Sequence, residues 1–173
     1  MNKDSCTGLE IRRLQGTDEA RQCALLMTHS EPWITLRRTY DESLKILSDS
    51  SKEIYVAVKS DVLVGFIIMN MKGAFIGYIQ TVCIAPEWRR KGIGSLLLKF
   101  AENRILSETP NVFMCVSSFN KEAQKLYQEL GYEIIGELKD YIVAGYSEIL
   151  LRKAIAPLAE FKKLSLMDNE VPD

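Results

Sequence analysis

Apolar positions along the chain follow helical and strand-like rhythms, broken where proline, glycine or charge intervenes. Leu9 to Leu14 predicts a short opening strand. Thr17 stands as a helix N-cap, and Asp18 and Glu19 suit the positive end of that helix. Ala20, Cys23, Ala24 and Met27 share one of its faces. Thr28 to Pro32 breaks it, because proline is tolerated only in the first turn of a following helix. Trp33, Leu36, Tyr40, Leu44 and Leu47 alternate steps of three and four, which predicts that second, amphipathic helix.

Ile54 to Lys59, Val62 to Met71 and Ala74 to Ile84 read as three strands joined by short turns, hence antiparallel. A charged loop, Glu87 to Gly94, leads into a third helix marked by Ile93, Leu96, Leu97, Phe100, Ala101 and Ile105. Val112 to Val116 is a continuous apolar run, as in the middle of a sheet. Asn120 caps a fourth helix carrying Ala123, Leu126, Tyr127 and Leu130 on one face, and Gly131 stops it. Tyr132 to Leu138 and Tyr146 to Leu151 close the pattern. The fold class is therefore α/β, a mixed, mostly antiparallel sheet of six to seven strands flanked by four helices. Residues 1–153 form one domain, and 154–173 form a tail that adds a short helix or frays.

Composition narrows the function. The chain has 173 residues, of which 47% are hydrophobic, enough for one core. Its formal net charge of -1 gives no basic stripe for nucleic acid and no polybasic membrane anchor. No apolar run reaches the roughly 20 residues that cross a bilayer. Met1 to Cys6 is polar, without the core of a signal peptide. Cys6, Cys23, Cys83 and Cys115 are scattered, and His29 is the sole histidine, so no metal site is expected. Reduced thiols and a cytoplasmic location follow, with Cys83 and Cys115 as small core residues.

The stretch from Val82 to Gly94 carries the chemistry. A strand runs into a basic, glycine-bearing loop that opens directly into a helix. The first helical amides lack intrahelical partners and sit at the positive end of the helix dipole. Gly92 and Gly94 keep side chains away, so a bulky anion can approach the backbone. Arg89, Arg90 and Lys91 add positive potential. Together they describe a diphosphate cradle. The Walker pattern is absent, and Leu97 stands where a dinucleotide fingerprint needs its third glycine.

Arg89-x-x-Gly92-x-Gly94 after Val82-Cys83-Ile84-Ala85-Pro86 resembles the acetyl-CoA loop of the GCN5-related N-acetyltransferase (GNAT) family. Asn120, Ala123, Leu126-Tyr127 and Gly131-Tyr132 resemble the family's next block, in the same order. Within the family the chain looks closest to the ribosomal-protein-alanine and aminoglycoside-type branches. The resemblance implies central strands splayed around the coenzyme and direct acetyl transfer to an amine in a ternary complex. It implies that the backbone of Arg90, Lys91, Gly92, Ile93, Gly94 and Ser95 holds the diphosphate. Val82, Cys83 and Ile84 would pair with the pantetheine arm, an amide near Val82 or Cys83 polarising the thioester carbonyl. Asn120 would touch the coenzyme, although by its own position it is equally a helix cap. Tyr127 would protonate the leaving thiolate, although on its helix face it is also a core tyrosine.

Relatives often carry a glutamate on the strand before the loop. Here Tyr78, Gln80 and Thr81 occupy that region, and Glu31, His29 or an ordered water stands in as base. Trp33, Tyr40, Tyr141 and Tyr146 are candidates to line the acceptor pocket. The missing carboxylate leaves a second reading, a non-catalytic CoA-binding regulatory module. The expected partner is an amine, on a small molecule or at a protein N-terminus or lysine, met by a monomer or homodimer.

Overall fold

In the computed structural model, which describes residues 8–161, the strand-like runs assemble into one sheet. Among the described residues it has seven strands: β1 Leu9–Arg13, β2 Glu53–Lys59, β3 Val62–Asn70, β4 Tyr78–Ile84, β5 Asn111–Ser117, β6 Glu133–Leu138 and β7 Glu148–Ala154. Their spatial order is β1-β2-β3-β4-β5-β7-β6. Every neighbouring pair is antiparallel except β4 and β5. The α/β class and the mixed, mostly antiparallel sheet are as the sequence predicts.

Each face of the sheet is covered by helices. The helices α1 (Gly16–Thr28) and α2 (Tyr40–Leu47) bury Ala20, Cys23, Ala24, Met27 and Leu47 against Val56, Phe66 and Ile68. On the other face α3 follows the glycine loop (Ile93–Leu106). It buries Ile93, Leu97, Leu98, Ala101 and Ile105 against Ile67, Met69, Val112 and Met114. The last helix, α4 (Lys121–Glu129), packs Ala123, Leu126 and Tyr127 onto that second core. β3 is buried on both faces because it lies between the two helical layers.

One irregularity decides where the site lies. Thr81 pairs with Ile68 while Ile79 pairs with Met69, so Gln80 is an extra residue in β4. Such a bulge bends the strand that carries it. β4 and β5 pair only at Tyr78–Phe113 and Ile79–Met114, then part at the bulge. The bulge also turns the side chains over: Ile79, Val82 and Ile84 pack with the α3 core, whereas Cys83 packs with the α1–α2 core.

Several boundaries differ from the sequence reading. The first helix begins at Gly16 with Gln15 at its N-cap and no side-chain cap, so Thr17 lies inside its first turn. The second helix begins at Tyr40, not near Trp33. Thr39 is its N-cap, joined to Glu42 in a reciprocal capping box, with Glu42 N–H to Thr39 Oγ1 at 3.3 Å and Thr39 N–H to Glu42 Oε2 at 2.9 Å. Residues 31–37 form successive turns ending at Arg37, whose φ of 55° no continuing helix accommodates. The turns keep Trp33 on the core side, which is why the apolar stripe continues through them. β4 begins at Tyr78 rather than Ala74, after a turn closed by Gly77 at φ 85°. β7 runs on to Ala154, one residue into the expected tail, and a helical turn follows at 158–161. The rest of the tail and Cys6 lie outside the described residues.

Candidate active site

The parting of β4 and β5 leaves backbone groups of β4 without strand partners. Ala85 N–H donates to Val64 O at 2.9 Å, on the β3 side. Strand backbone alternates its direction, so Ile84 and Val82 direct their N–H and C=O groups toward the gap. Arg89 Nε donates to the Ile84 carbonyl at 3.1 Å, which occupies one of these groups and holds the loop to the strand end. Of the two amides expected to polarise the carbonyl, that of Val82 faces the gap and that of Cys83 faces β3. Gly65 on β3 permits the close approach of the strand end, since a Cβ there would stand 2.7 Å from Cys83 O.

The loop leaves β4 through a single 3-10 turn, Pro86–Trp88. Arg90 and Gly92 both take left-handed backbone conformations, at φ 60° and 84°. Gly92 is the N-cap of α3, and no side chain caps that end. The first amides of α3 therefore remain available to an anion. Lys91 lies over the Trp88 ring, 4.7 Å from its centroid, which anchors the basic run to the fold. Arg90 reaches Glu122 of α4 at 3.6 Å across the mouth of the groove.

Two cavities open on either side of the gap. One, of about 740 Å³, is walled by Val82, Cys83, Ile84, Arg89, Arg90, Gly92, Gly94 and Ser95 from β4 and α3, and by Asn120, Leu126 and Tyr127 from α4. Of the residues expected to meet the coenzyme, Lys91 and Ile93 do not line it through side chains; Ile93 is buried in the core beneath. The other cavity, about 640 Å³, is walled by Tyr78, Gln80, Thr81, Cys115, Ser117, Tyr141 and Glu148, with Arg38 and Lys52. Trp33, Val82, Asn120 and Tyr127 line both. The two spaces meet at Tyr127.

Side-chain chemistry differs along these walls. Burial pushes the Tyr127 phenol up to about 12, so it keeps its proton at neutral pH. Asn120 Oδ1 accepts from Ala123 N–H at 3.2 Å, so the residue caps α4 and faces the cavities at once. Burial raises all three described cysteines, Cys83 to about 12, and none offers a thiolate. Trp33 and Tyr141 line the second cavity, whereas Tyr40 packs into the α1–α2 core and Tyr146 meets Phe119 edge-on with centroids 4.9 Å apart. Glu31 sits on the rim of the first cavity, exposed, and accepts from Thr35 N–H at 3.3 Å and Thr35 Oγ1 at 3.1 Å. His29 is exposed at the end of α1, with Nδ1 2.8 Å from Leu25 O.

One residue of the site escaped the sequence reading. Glu148 opens β7 directly opposite Ser117, whose Oγ donates to Glu148 Oε1 at 2.6 Å. Its carboxyl is buried and held above its ordinary range by that burial, which outweighs the serine hydrogen bond. The sequence offered a faint signal: a lone acid at the head of the apolar run Ile149-Leu150-Leu151.

The fold and the site define a class: a sheet split at its parallel pair, with an uncapped helix start at one end of the split. The chain belongs to the acetyltransferase (GNAT) family, whose model matches residues 18–132. Over 72 residues it is 39% identical to the GCN5-related N-acetyltransferase 6, chloroplastic, of Arabidopsis thaliana, covering 40% of this chain and only 25% of that protein. It is 22% identical over 122 residues to an N-alpha-acetyltransferase of Saccharolobus solfataricus, covering 63% of this chain and 73% of that one. Its fold matches an aminoglycoside 6'-N-acetyltransferase crystallised with coenzyme A, at a TM-score of 0.69 and 19% identity, covering 86% of this chain and 98% of the other.

Proposed function

We propose that this chain transfers an acetyl group from acetyl-CoA to a primary amine by direct attack, with no acyl-enzyme. The observation that carries the reading is the meeting of two cavities at Tyr127, one of which runs to the uncapped start of α3. The residues present fit the coenzyme. A Cβ on Gly94 would come no closer than 3.8 Å to Ile84 Cγ1, so nothing in the chain itself demands glycine there. The glycine keeps the groove floor bare for something else.

Acetyl-CoA supplies the acetyl thioester. The side chains of Arg89 and Arg90, with the backbone from Arg90 to Ser95, hold its diphosphate. Val82 and the Ile84 amide, whose carbonyl is held by Arg89, add backbone groups to the pantetheine arm, and Val82 N–H steadies the carbonyl oxygen, worth roughly 3 kcal/mol to the transition state. Asn120 orients the arm from α4. Tyr127, protonated at neutral pH, gives its proton to the departing sulfur. The three raised cysteine thiols leave direct attack as the route this site favours.

The test is a turnover screen with acetyl-CoA and amines of different classes, followed by mass measurement of the product. Free CoA released together with an amine heavier by one acetyl group is the expected result. Tight CoA binding without turnover on any amine would favour a regulatory CoA-binding module.

A further inference from the structure

Glu148 is a buried carboxyl, 5% exposed, with no cation paired to it among the described residues. Such groups are nearly always paired, because a desolvated charge is costly when unmet. Here a hydroxyl on Oε1 is the single hydrogen bond to the carboxyl among the described residues, and no salt bridge reaches it. Burial raises its pKa, so it can hold a proton or meet a cation from the cavity that it lines, and an acceptor amine at neutral pH is such a cation.

The rest of the wall sets which amines fit. Besides Glu148, the charged side chains lining the cavity are Arg38 and Lys52. Lys52 Nζ donates to Asn70 Oδ1 at 2.9 Å and lies 3.7 Å from Asp49, whereas Arg38 has no salt bridge among the described residues. Ser117 lies four residues along β5 from Phe113, the partner of Tyr78, a separation of ~13 Å at the usual strand rise. The carboxylate and the Asn70–Lys52 corner thus mark different ends of the space. A polycation would satisfy one ammonium at Glu148 and press the others toward like charge.

We propose that Glu148 seats the acceptor's ammonium and takes its proton, in a cavity whose Arg38 and Lys52 restrict the acceptor to monoamines with a neutral or anionic remainder. This rests on the acetyl-transfer reading above. One ammonium proton goes to Glu148 and leaves to solvent. The freed nitrogen bonds to the acetyl carbon as the carbon–sulfur bond breaks. Tyr127 protonates the sulfur and is reprotonated by the second proton lost from nitrogen. Two titratable groups of the same cavity, Tyr78 from β4 across the gap and Cys115 from β5 beside β7, are both held neutral by burial and do not compete for the charge.

The experiment measures kcat/KM against pH for the wild type, Glu148→Gln and Glu31→Gln. The acceptors are an amino-acid amide, a dipeptide and spermidine; CoA binding is followed by calorimetry and folding by Tm. The wild type should lose rate on the acid side with an apparent pKa above the ordinary carboxylate range. Glu148→Gln should lower kcat/KM at least 100-fold and abolish that acid limb, with CoA affinity within twofold and Tm undiminished at neutral pH. Spermidine should be at least tenfold poorer than the amide. An acid limb that survives in Glu148→Gln but vanishes in Glu31→Gln would overturn the assignment, as would a preference for spermidine. Failure of the wild type to bind CoA would instead overturn the acetyl-transfer reading itself.

Discussion

Gly94→Leu separates the coenzyme site from the stability of the fold. Gly94 is the second residue of α3 and has ordinary helical geometry, without the positive φ that makes Gly92 intolerant. Its Cβ position meets only Ile84 Cγ1, at 3.8 Å, an ordinary contact. Replacing a helical glycine by a good helix former gains up to ~1 kcal/mol. In a chain of this size that raises Tm by ~2–4 °C. The leucine side chain, however, projects into the groove beside Ser95 and Arg89. It displaces the diphosphate from at least two amides, each hydrogen bond to a charged group contributing ~1.5–3 kcal/mol. The loss of ~3–6 kcal/mol corresponds to roughly 10²–10⁴-fold in Kd. Calorimetric titration with CoA, beside a thermal melt, reads both quantities in one preparation. A variant that melts no lower than wild type yet binds CoA at least 100-fold more weakly is expected. Binding within tenfold of wild type would refute the cradle, because no loss of folding could be blamed.

Tyr127→Phe should lower kcat at least tenfold while leaving KM for acetyl-CoA nearly unchanged; equal turnover would remove the acid role. Gly77→Ala should destabilise the chain by at least ~2 kcal/mol. Its Cβ would stand 2.6 Å from Asn111 O at a φ of 85°, and a melt with unchanged Tm would contradict this. Thr39→Ala removes the α2 capping box and should cost ~1 kcal/mol in denaturant unfolding, with kcat preserved. Burial raises the Glu148 pKa above its unfolded value, so the folded chain holds that proton to higher pH. Its contribution to stability is complete below the unfolded pKa and is lost as pH rises through the folded one. Glu148→Gln should therefore match wild-type stability at acid pH and exceed it at neutral pH; a deficit at neutral pH would contradict the sign.

Local chemistry was legible in the chain, and non-local geometry was not. The loop from Arg89 to Gly94 shows itself because helix start, glycine and basic residues are neighbours in sequence. Asn120 shows itself as a cap for the same reason. The second helix misled because Trp33 and Leu36 keep the apolar rhythm through turns. The Thr39-x-x-Glu42 capping box, visible in the letters, marks the true start. The bulge at Gln80 leaves no trace in periodicity, since one extra residue among Tyr78, Ile79, Gln80 and Thr81 reads as ordinary strand. The place of Glu148 in the site could not be read from its faint local signal, for a topological reason: β7 enters the sheet beside β5, two strands from β4. Glu148, the buried carboxyl of the second cavity, stands 64 residues beyond Ile84, the end of the motif strand.

An amide-resolved NMR titration of the chain with coenzyme A tests the split sheet most directly. The amides of Val82, Ile84 and Gly92 to Ser95 should shift together and saturate with one equivalent, while the outer strands β1 and β6 stay still. Shifts confined to other surfaces, or none at millimolar coenzyme, would contradict the account.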